Sequence, residues 1–245
     1  MNQIILNPKV ELTKVKYFNK EFQVVRDDLL PGGTKQRAMG IIKNIREDEI
    51  VYCGPYNGWA QVALSIGCQL YDKKATVFMT RNDYSTNLKA LAYGCNIVTM
   101  PNKTIKELQE AGSEYVKNKN AKLLPFGFDS KEFCDELYLR LIESIDLDVH
   151  FSNTIWLVAG SATLLSVLYK VFPKAKFGVV QVGKKIWPDQ IQPNRTTLYI
   201  APETFYQDAR TKPPYPSVVK YDAKVWQFVM RHGCSGDLIW NVASD

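Results

Sequence analysis

Short apolar runs alternate with segments of helical spacing along most of this chain. The apolar runs, each predicted as a strand, lie at 49–53, 74–79, 96–100, 122–126, 155–159, 177–182, 197–201 and 237–242. The segments that space apolar residues as a helix does lie at 59–66, 86–93, 104–117, 131–145, 163–171 and 223–231. Residues 3–6 and 22–25 are predicted as short extended pieces, and a further helix is predicted to open at Lys35. Strands and helices in this rhythm predict parallel βαβ units.

The clearest amphipathic helix is the one predicted over 131–145. Its Cys134, Leu137, Leu141 and Ile145 recur at helical spacing and are predicted to form one apolar face. The segment 211–216 is rich in proline, which fits neither a regular helix nor a central strand, so a loop is predicted there. We find no internal repeat and no low-complexity tail.

Composition indicates a globular α/β protein. The chain has 245 residues, of which 46% are hydrophobic and 23% are charged. No apolar run approaches the ~18 residues of a membrane span, and the N-terminus lacks the apolar region of a signal peptide. The five scattered cysteines, without Cys-x-x-Cys spacing, predict a reduced, cytoplasmic protein without disulfides or a zinc site. His150 and His232 are the only histidines, too few for a multi-histidine metal centre.

The net charge of +6 favours an anionic partner. That partner could be a phosphate-bearing cofactor, an acidic substrate or nucleic acid. The basic residues are dispersed, with local concentrations at 117–122 and 170–176, which are predicted to be solvated surface.

The candidate chemistry is concentrated in the stretch that leads from Arg26 to Lys35. Two carboxylates, Asp27 and Asp28, follow the arginine, and a Gly32-Gly33 turn precedes Thr34-Lys35. Because a lysine on the first turn of a helix is held by the scaffold, burial there would lower its pKa and make the amine a nucleophile. The alternative is a glycine turn followed by a solvated lysine. Taken by itself, the stretch favours the solvated lysine.

Two other strand-to-helix turns carry suitable groups. The turn 53–60 (Cys-Gly-Pro-Tyr-Asn-Gly-Trp-Ala) lies where open α/β sheets usually bind ligands, although its Gly, Pro and Asn also suit an ordinary turn. In the second, 157–163, a strand runs into Gly160 and Ser161 and then into a helix at Thr163. Backbone N–H groups at such a helix N-terminus suit a phosphate.

These motifs, in this order, resemble those of fold-type II pyridoxal-phosphate (PLP) enzymes. Arg-Asp-Asp followed by Gly-Gly-Thr-Lys-x-Arg is similar to the lysine motif of the aminocyclopropane-carboxylate deaminase and D-cysteine desulfhydrase family, which usually has Arg-Glu-Asp and Gly-Gly-Asn-Lys-x-Arg-Lys. The resemblance implies two α/β lobes with open, twisted, mostly parallel sheets of the tryptophan synthase β type. Residues 1–49 and 126–245 would form the large PLP-binding domain, residues 50–125 the small domain, and the cofactor would lie between them. The segment 124–128 resembles the family's connection between the lobes.

The same resemblance assigns roles to the cofactor-binding residues. Lys35 would form a Schiff base with PLP and later serve as a base, and Asn57 would contact the ring hydroxyl. The turn of Gly160, Ser161, Ala162 and Thr163 would hold the phosphate. The family form is Gly-Ser-Gly-Gly-Thr; Ala159 and Ala162 depart from it, but both side chains are small enough to leave room.

Three further positions bear on catalysis. Tyr56 stands where the family has a serine that transfers protons, so the usual proton relay does not carry over. The segment 219–226 resembles one in which a tyrosine faces the substrate, making Tyr221 a candidate acid/base or substrate contact; the alternative is a tyrosine in the core. Val242 replaces the threonine that meets the pyridine nitrogen, and Asn241 or Ser244 would make that contact instead.

The resulting hypothesis is a PLP-dependent enzyme of lyase type that acts on a small-molecule amino acid or amine. Deamination, β-elimination, decarboxylation and racemisation all remain open as the reaction. One alternative is a PLP enzyme that processes an amino-acid group attached to a DNA base, as expected of a viral member; another is a catalytically silent binding module. By resemblance the protein would be a shortened member of its group, a homodimer without membrane association, and cytoplasmic (in the host cytoplasm if viral).

Overall fold

The computed structural model describes residues 4–146 and 153–245. Gln3 and His150, which entered the sequence analysis, lie outside these ranges. The strands, in chain order, are β1 (Leu12–Tyr17), β2 (Lys20–Arg26), β3 (Glu49–Cys53), β4 (Lys74–Met79), β5 (Asn96–Thr99), β6 (Ala121–Leu123), β7 (Thr154–Ala159), β8 (Lys176–Gln181), β9 (Thr196–Ile200) and β10 (Leu238–Asn241). The α-helices are α1 (Ala60–Leu70), α2 (Ser85–Ala92), α3 (Ile105–Val116), α4 (Lys131–Ser144), α5 (Thr163–Val171) and α6 (Trp226–His232). Tighter 3₁₀ helices span Asp27–Leu29, Thr34–Asn44, Phe126–Phe128, Pro188–Gln190 and Asp222–Val225.

Every strand and helix predicted from residue 49 onwards is present, with boundaries that move by four residues at most. The loop predicted over 211–216 is confirmed. Two N-terminal predictions need correction. Residues 4–6 are not in a strand, and β1 was not predicted. β1 is an edge strand in which only Val15 is buried, so its sequence lacks the apolar run that marks the central strands.

The first compact unit comprises Pro31–Leu137 together with the N-terminal stretch that ends at Pro8. Its sheet has the order β5-β4-β3-β6, and every pairing is parallel. The inner strand β3 is buried along its whole length, which explains its continuous apolar run. Val51 and Cys53 of β3 pack with Phe78 of β4 and Leu108 of α3 in the core.

The second compact unit comprises Lys9–Leu30 and Tyr138–Asp245. Its sheet has the order β1-β2-β10-β7-β8-β9, in which β1 is antiparallel to β2 and all other pairings are parallel. Because β10, β7, β8 and β9 run in the same direction, the loops that follow them emerge at one edge of the sheet. The core on one face of this sheet includes Trp156, Val180, Trp226 and Ile239.

The predicted fold class, two α/β units with mostly parallel sheets, is confirmed by these topologies. The compact units place 31–49 and 126–137 with the four-stranded sheet, whereas the predicted small domain covered only 50–125. The functional domains themselves, 1–49 with 126–245 and 50–125, stay a prediction.

The buried face of α4 differs from the predicted one. Leu137 and Leu141 are buried as expected, but Phe133 is also buried, whereas Cys134 and Ile145 are only half-buried. The buried stripe is therefore centred one residue earlier, at 133, 137 and 141, which follows the same helical spacing. In the part of the chain that the structure describes, no helix has the length and apolar character to cross a membrane.

Candidate functional site

The turn before Lys35 requires both of its glycines, for different reasons. Gly33 has φ of 65°, a conformation that residues with side chains rarely adopt. A β-carbon on Gly32 would stand 2.8 Å from the Cα of Ala63, so this glycine allows the turn to approach the backbone of α1. The Thr34–Asn44 helix begins directly after the turn and carries Lys35 as its second residue. The local sequence thus fixes the position of the Lys35 backbone.

The amine of Lys35 lies among aromatic rings and one carbonyl. Its Nζ donates to the carbonyl oxygen of Gly127 at 2.6 Å and lies 5.2 Å and 5.3 Å from the ring centroids of Phe128 and Phe133. Removal of the amine from water lowers the pKa of Lys35 to about 8, against opposing effects of nearby Cys134 and Asp129. The lysine is therefore held in a pocket that makes its neutral form accessible near neutral pH.

Asn57 lies on the turn that follows β3. The residue is 5% exposed, and its Oδ1 is buried without a hydrogen-bond partner in the described part of the chain. The turn is held by the buried side chain of Gln61, whose Nε2 donates to the carbonyl of Tyr56 at 3.2 Å and to Oδ1 of Asn87 at 3.1 Å. A fixed asparagine with an unsatisfied oxygen can accept a hydrogen bond from a ligand.

Tyr56 precedes Asn57 on the same turn. Its ring packs edge-on against Tyr84 with centroids 5.5 Å apart, and the guanidinium carbon of Arg81 lies 5.1 Å from the ring centroid. Thr86 Oγ1 donates to the Tyr56 carbonyl at 3.0 Å. The tyrosine is therefore part of a packed polar cluster, and its predicted catalytic role stays a prediction.

In the second unit, the Gly160–Thr163 turn joins β7 to α5. Ala162 has φ of 62°, the left-handed conformation that glycine adopts without cost, so the predicted departure from glycine retains the backbone shape of a glycine turn. The hydroxyls of Ser161 and Thr163 lie 2.9 Å apart. The first N–H groups of α5 have no partner within the helix, as in any α-helix, so the turn presents donors to an anion.

Tyr221 lies directly on this turn. The backbone N–H of Gly160 donates to its hydroxyl oxygen, and burial raises the pKa of the phenol. The hydroxyl therefore keeps its proton at neutral pH and can donate it. Its ring also packs against the hydrophobic core of this unit, so the role of Tyr221 as a site residue stays a prediction.

Asn241 ends β10, the strand next to β7. Its Nδ2 donates to the carbonyl of Pro216 at 2.8 Å, while its Oδ1 is buried and lacks a partner among residues 4–146 and 153–245. Ser244 Oγ contacts the carbonyl of Asp28 at 3.5 Å. Of the two residues proposed to replace the missing threonine at Val242, Asn241 is therefore the one with an unsatisfied acceptor.

The structure groups the predicted residues within each unit. In the first, the Lys35 helix packs on α1, the helix that follows the Asn57 turn; a β-carbon on Gly67 of α1 would stand 2.9 Å from the Cβ of Met39. In the second, Tyr221 contacts the Gly160 turn, and Asn241 ends the neighbouring strand. Among the described residues, no group of three or more His, Cys, Asp or Glu side chains is arranged to hold a metal ion.

Sequence reasoning missed two features of these sites. The pocket around the Lys35 amine is supplied by residues about a hundred positions later, and no local pattern links them to the lysine. Asp222 is 3% exposed, faces the backbone N–H groups of Val242 and Ala243, and has its pKa raised well above the ordinary value by burial. Its place next to Tyr221 in the sequence was the only available signal.

The motif residues before Lys35 have a structural role in the second unit. Arg26 forms a two-pronged ion pair with Asp28, with Nε–Oδ1 and Nη2–Oδ2 distances of 2.8 Å, and the carboxylate side chain is 1% exposed. Asp27 is fully buried. The pair thus fixes the chain at the end of β2, and Lys35 follows seven residues after Asp28.

Comparison with solved structures supports the resemblance. The fold matches the crystal structure of an ACC deaminase homologue with a TM-score of 0.79 at 13% identity, covering 98% of this chain and 91% of that one. It matches O-ureido-L-serine synthase with a TM-score of 0.72 at 14% identity, covering 100% and 92%. O-acetylserine dependent cystathionine beta-synthase from Helicobacter pylori gives 0.73 at 14% identity, covering 98% and 94%.

No protein-family model matches the sequence, and neither does any curated protein sequence. The match leaves less than a tenth of each of the three solved chains uncovered, and the expectation of a shortened member stays a prediction. The predicted viral origin finds no support in these comparisons. The resemblance inferred from the motifs is confirmed at the level of architecture: this chain has the fold of the fold-type II pyridoxal-phosphate enzymes.

Proposed function

We propose that this protein is a PLP-dependent enzyme that acts on an amino acid or amine, with Lys35 as the residue that binds the cofactor. The observation that carries the proposal is the amine of Lys35, which follows a Gly-Gly turn, lies among Phe128, Phe133 and the Gly127 carbonyl, and has its pKa lowered to about 8. A lysine with this pKa is neutral in about one molecule in ten at pH 7. An ordinary lysine would be neutral in roughly one in 3,000.

The residues of the first unit fit the ring end of PLP. Asn57 Oδ1, buried and without a partner in the described chain, can accept a hydrogen bond from the ring hydroxyl and so orient the ring. Gln61 keeps the Asn57 turn in place through its bonds to the Tyr56 carbonyl and Asn87. In its amine form, Lys35 Nζ binds the cofactor and can also accept a proton.

The second unit carries groups that suit a phosphate and a protonated pyridine nitrogen. The N–H groups at the start of α5 and the hydroxyls of Ser161 and Thr163 suit a phosphate. Asn241 Oδ1 is an orphaned acceptor that a protonated ring nitrogen can satisfy. When bound, PLP supplies an electron sink for charge that develops next to the substrate nitrogen. Tyr221, whose phenol keeps its proton, is the candidate donor at its hydroxyl oxygen.

Within this class we propose a lyase-type reaction on a small amino acid or amine. The solved neighbours act in different ways, as a deaminase homologue, synthases and a threonine deaminase, so the fold is compatible with several outcomes. Tyr56 replaces the serine of the usual proton relay, and its ring packs against Tyr84 and Arg81. We therefore assign proton donation to Tyr221 and keep Tyr56 as a second candidate for a catalytic role.

The direct test is cofactor binding by the purified protein. Addition of PLP is expected to give the visible absorption band of PLP bound to a lysine amine, and borohydride reduction followed by peptide mapping is expected to place the label on Lys35. Lys35→Ala should lose both the band and the label. Lys43→Ala, which removes an exposed lysine from the same helix, is the matched control and should retain them.

Labelling of other lysines to the same extent as Lys35 would contradict the proposal. A protein that stays colourless with PLP would instead favour the alternative of a silent binding module, which the replacements at Tyr56 and Val242 make the second candidate. In that case Lys35→Ala should give the same absorption spectrum with PLP as the unchanged protein.

A third candidate keeps the same site but changes the substrate to an amino-acid group carried on a DNA base. The net charge of +6 favours it, because DNA is a polyanion. Turnover of such DNA without turnover of free amino acids would select it, and the reverse result would exclude it. The homodimer expected from the resemblance stays a prediction that sedimentation equilibrium would measure.

A further inference from the structure

Two loops at the carboxyl edge of the six-stranded sheet carry exposed aromatic and basic side chains. The loop after β8 contains Lys184, Lys185 and Trp187, and the loop after β9 contains Tyr206 and Arg210. Trp187 and Tyr206 are each 52% exposed, and the three basic residues are exposed as well. We call these five residues the aromatic–basic surface.

The ring of Trp187 is presented from an anchored turn. The backbone N–H of Trp187 donates to Gln190 Oε1 at 3.0 Å. The preceding residue, Ile186, is buried, and its backbone N–H donates to Gln181 Oε1 at 2.7 Å. The Lys185 amine lies 4.4 Å from the centroid of the Trp187 ring. A flat apolar ring and a cationic amine are thus displayed at one spot on a fixed backbone.

The two loops touch each other and the candidate phosphate turn. A β-carbon on Gly183 would stand 3.0 Å from the ring of Phe205, the residue before Tyr206. Gln190 Nε2 donates to the carbonyl of Ser161 at 3.4 Å. The two loops that carry the aromatic–basic surface therefore contact each other and the Gly160–Thr163 turn within the second unit.

The charged residues of this surface, Lys184, Lys185 and Arg210, are all basic. Asp208 forms an ion pair with Lys220 at 2.6 Å, and Glu203 is 5% exposed and accepts from Gln227 at 3.0 Å. Arg210 Nε lies 3.8 Å from the Glu203 carboxylate. The loop after β8 carries Lys184 and Lys185 and one exposed carboxylate, Asp189. The surface therefore offers cationic charge beside exposed rings.

We propose that the aromatic–basic surface binds single-stranded nucleic acid. Exposed rings can stack on bases, and lysines beside them can neutralise phosphates; this combination is how sequence-tolerant single-strand binders work. A duplex keeps its bases stacked inside and cannot use the rings in this way. An acidic peptide would use the charges but leave Trp187 and Tyr206 without a stacking partner. The binding itself does not depend on the proposed cofactor.

The test uses the full-length protein and a fluorescein-labelled oligothymidine, with anisotropy measured over a range of salt concentrations. The oligonucleotide should bind at low salt. Trp187→Ala should weaken binding by about 5-fold to 150-fold, since a stacked base contributes about 1–3 kcal/mol. The double variant Lys184→Gln, Lys185→Gln should reduce the slope of log K against log salt by about 1.4, at ~0.7 for each phosphate contact on a single strand.

Matched controls come from elsewhere in the chain. Lys119→Gln with Lys122→Gln makes the same charge change on exposed lysines of the first unit, where Lys119 also stands over a ring, that of Tyr115. Phe18→Ala removes another exposed aromatic ring, 87% exposed. Both controls should leave affinity and salt slope unchanged.

Three results would overturn the proposal: absence of binding at low salt, an equal loss in the control variants, or unchanged affinity in Trp187→Ala with heparin competing as well as oligothymidine. The last result would indicate attraction to any polyanion. PLP absorption, measured on the same samples, keeps this test separate from the cofactor proposal, because either can fail while the other holds.

Discussion

Raising the pH through 8 should convert Lys35 from a protonated to a reactive amine. Burial lowers the pKa of this lysine from 10.5 to about 8, and the opposing effects of Cys134 and Asp129 do not offset the loss of water. At pH 7 the neutral fraction is then about 300-fold larger than for a lysine with a pKa of 10.5. Because only the neutral amine attacks an aldehyde, the rate of attachment should follow this fraction.

The assay is short exposure to a limiting amount of PLP, followed by borohydride reduction and quantitative peptide mapping, from about pH 6 to about pH 10.5. The yield at Lys35 should rise with pH and level off above a midpoint near 8, whereas the yield at the exposed Lys43 should stay far below it at neutral pH. Asp129 contributes a nearby negative charge that raises the pKa of Lys35, so Asp129→Asn should move the midpoint to lower pH. A midpoint near 10.5, or a shift to higher pH in Asp129→Asn, would refute the reasoning.

Three other variants test the structure around the sites. Gly32→Ala should lower the free energy of unfolding by about 1–3 kcal/mol in urea titrations, because its β-carbon would lie 2.8 Å from the Ala63 backbone. Thr163→Val keeps the side-chain shape but removes a hydroxyl from the candidate phosphate turn; it should weaken binding of PLP, measured by equilibrium titration, by about tenfold with little change in stability. Arg26→Met should destabilise the protein by about 3 kcal/mol, because it leaves the buried Asp28 carboxylate without its partner.

The chain contains a matched control for the last variant. Arg81 and Asp83 form the same two-pronged pair at the same spacing, with both distances 2.6 Å, but their side chains are 53% and 62% exposed. Arg81→Met should therefore cost less than about 1 kcal/mol. Equal losses in Arg26→Met and Arg81→Met would show that burial is not what gives the first pair its strength.

The order of strands and helices was predictable because each depends on local periodicity. Central strands such as β3 are buried on both faces and so carry unbroken apolar runs, and α3 is capped at its N-terminus by Thr104, whose side chain forms a capping box with Glu107. β1 escaped prediction because an edge strand buries little. The face of α4 was misplaced by one residue, since Phe133 as well as Cys134 fits the spacing and only packing selects between them.

The candidate site was predictable only as a set of positions. The glycine turns at Gly33 and Gly160 follow from the need for special backbone geometry or close approach, which few residues allow. The roles of the polar side chains near these turns could not be predicted from local sequence in the same way. Only the structure shows that the Tyr221 hydroxyl meets the Gly160 N–H, and that the Asn241 oxygen is buried without a partner among the described residues.

The sequence alone therefore determined the parallel α/β architecture and the location of a lysine directly after a glycine turn, because periodicity and backbone conformation are properties of neighbouring residues. Only the tertiary structure decided the character of that lysine. Its carbonyl partner and the two rings beside it belong to a segment about a hundred residues away, and the pKa of an amine depends on how much water those distant groups exclude.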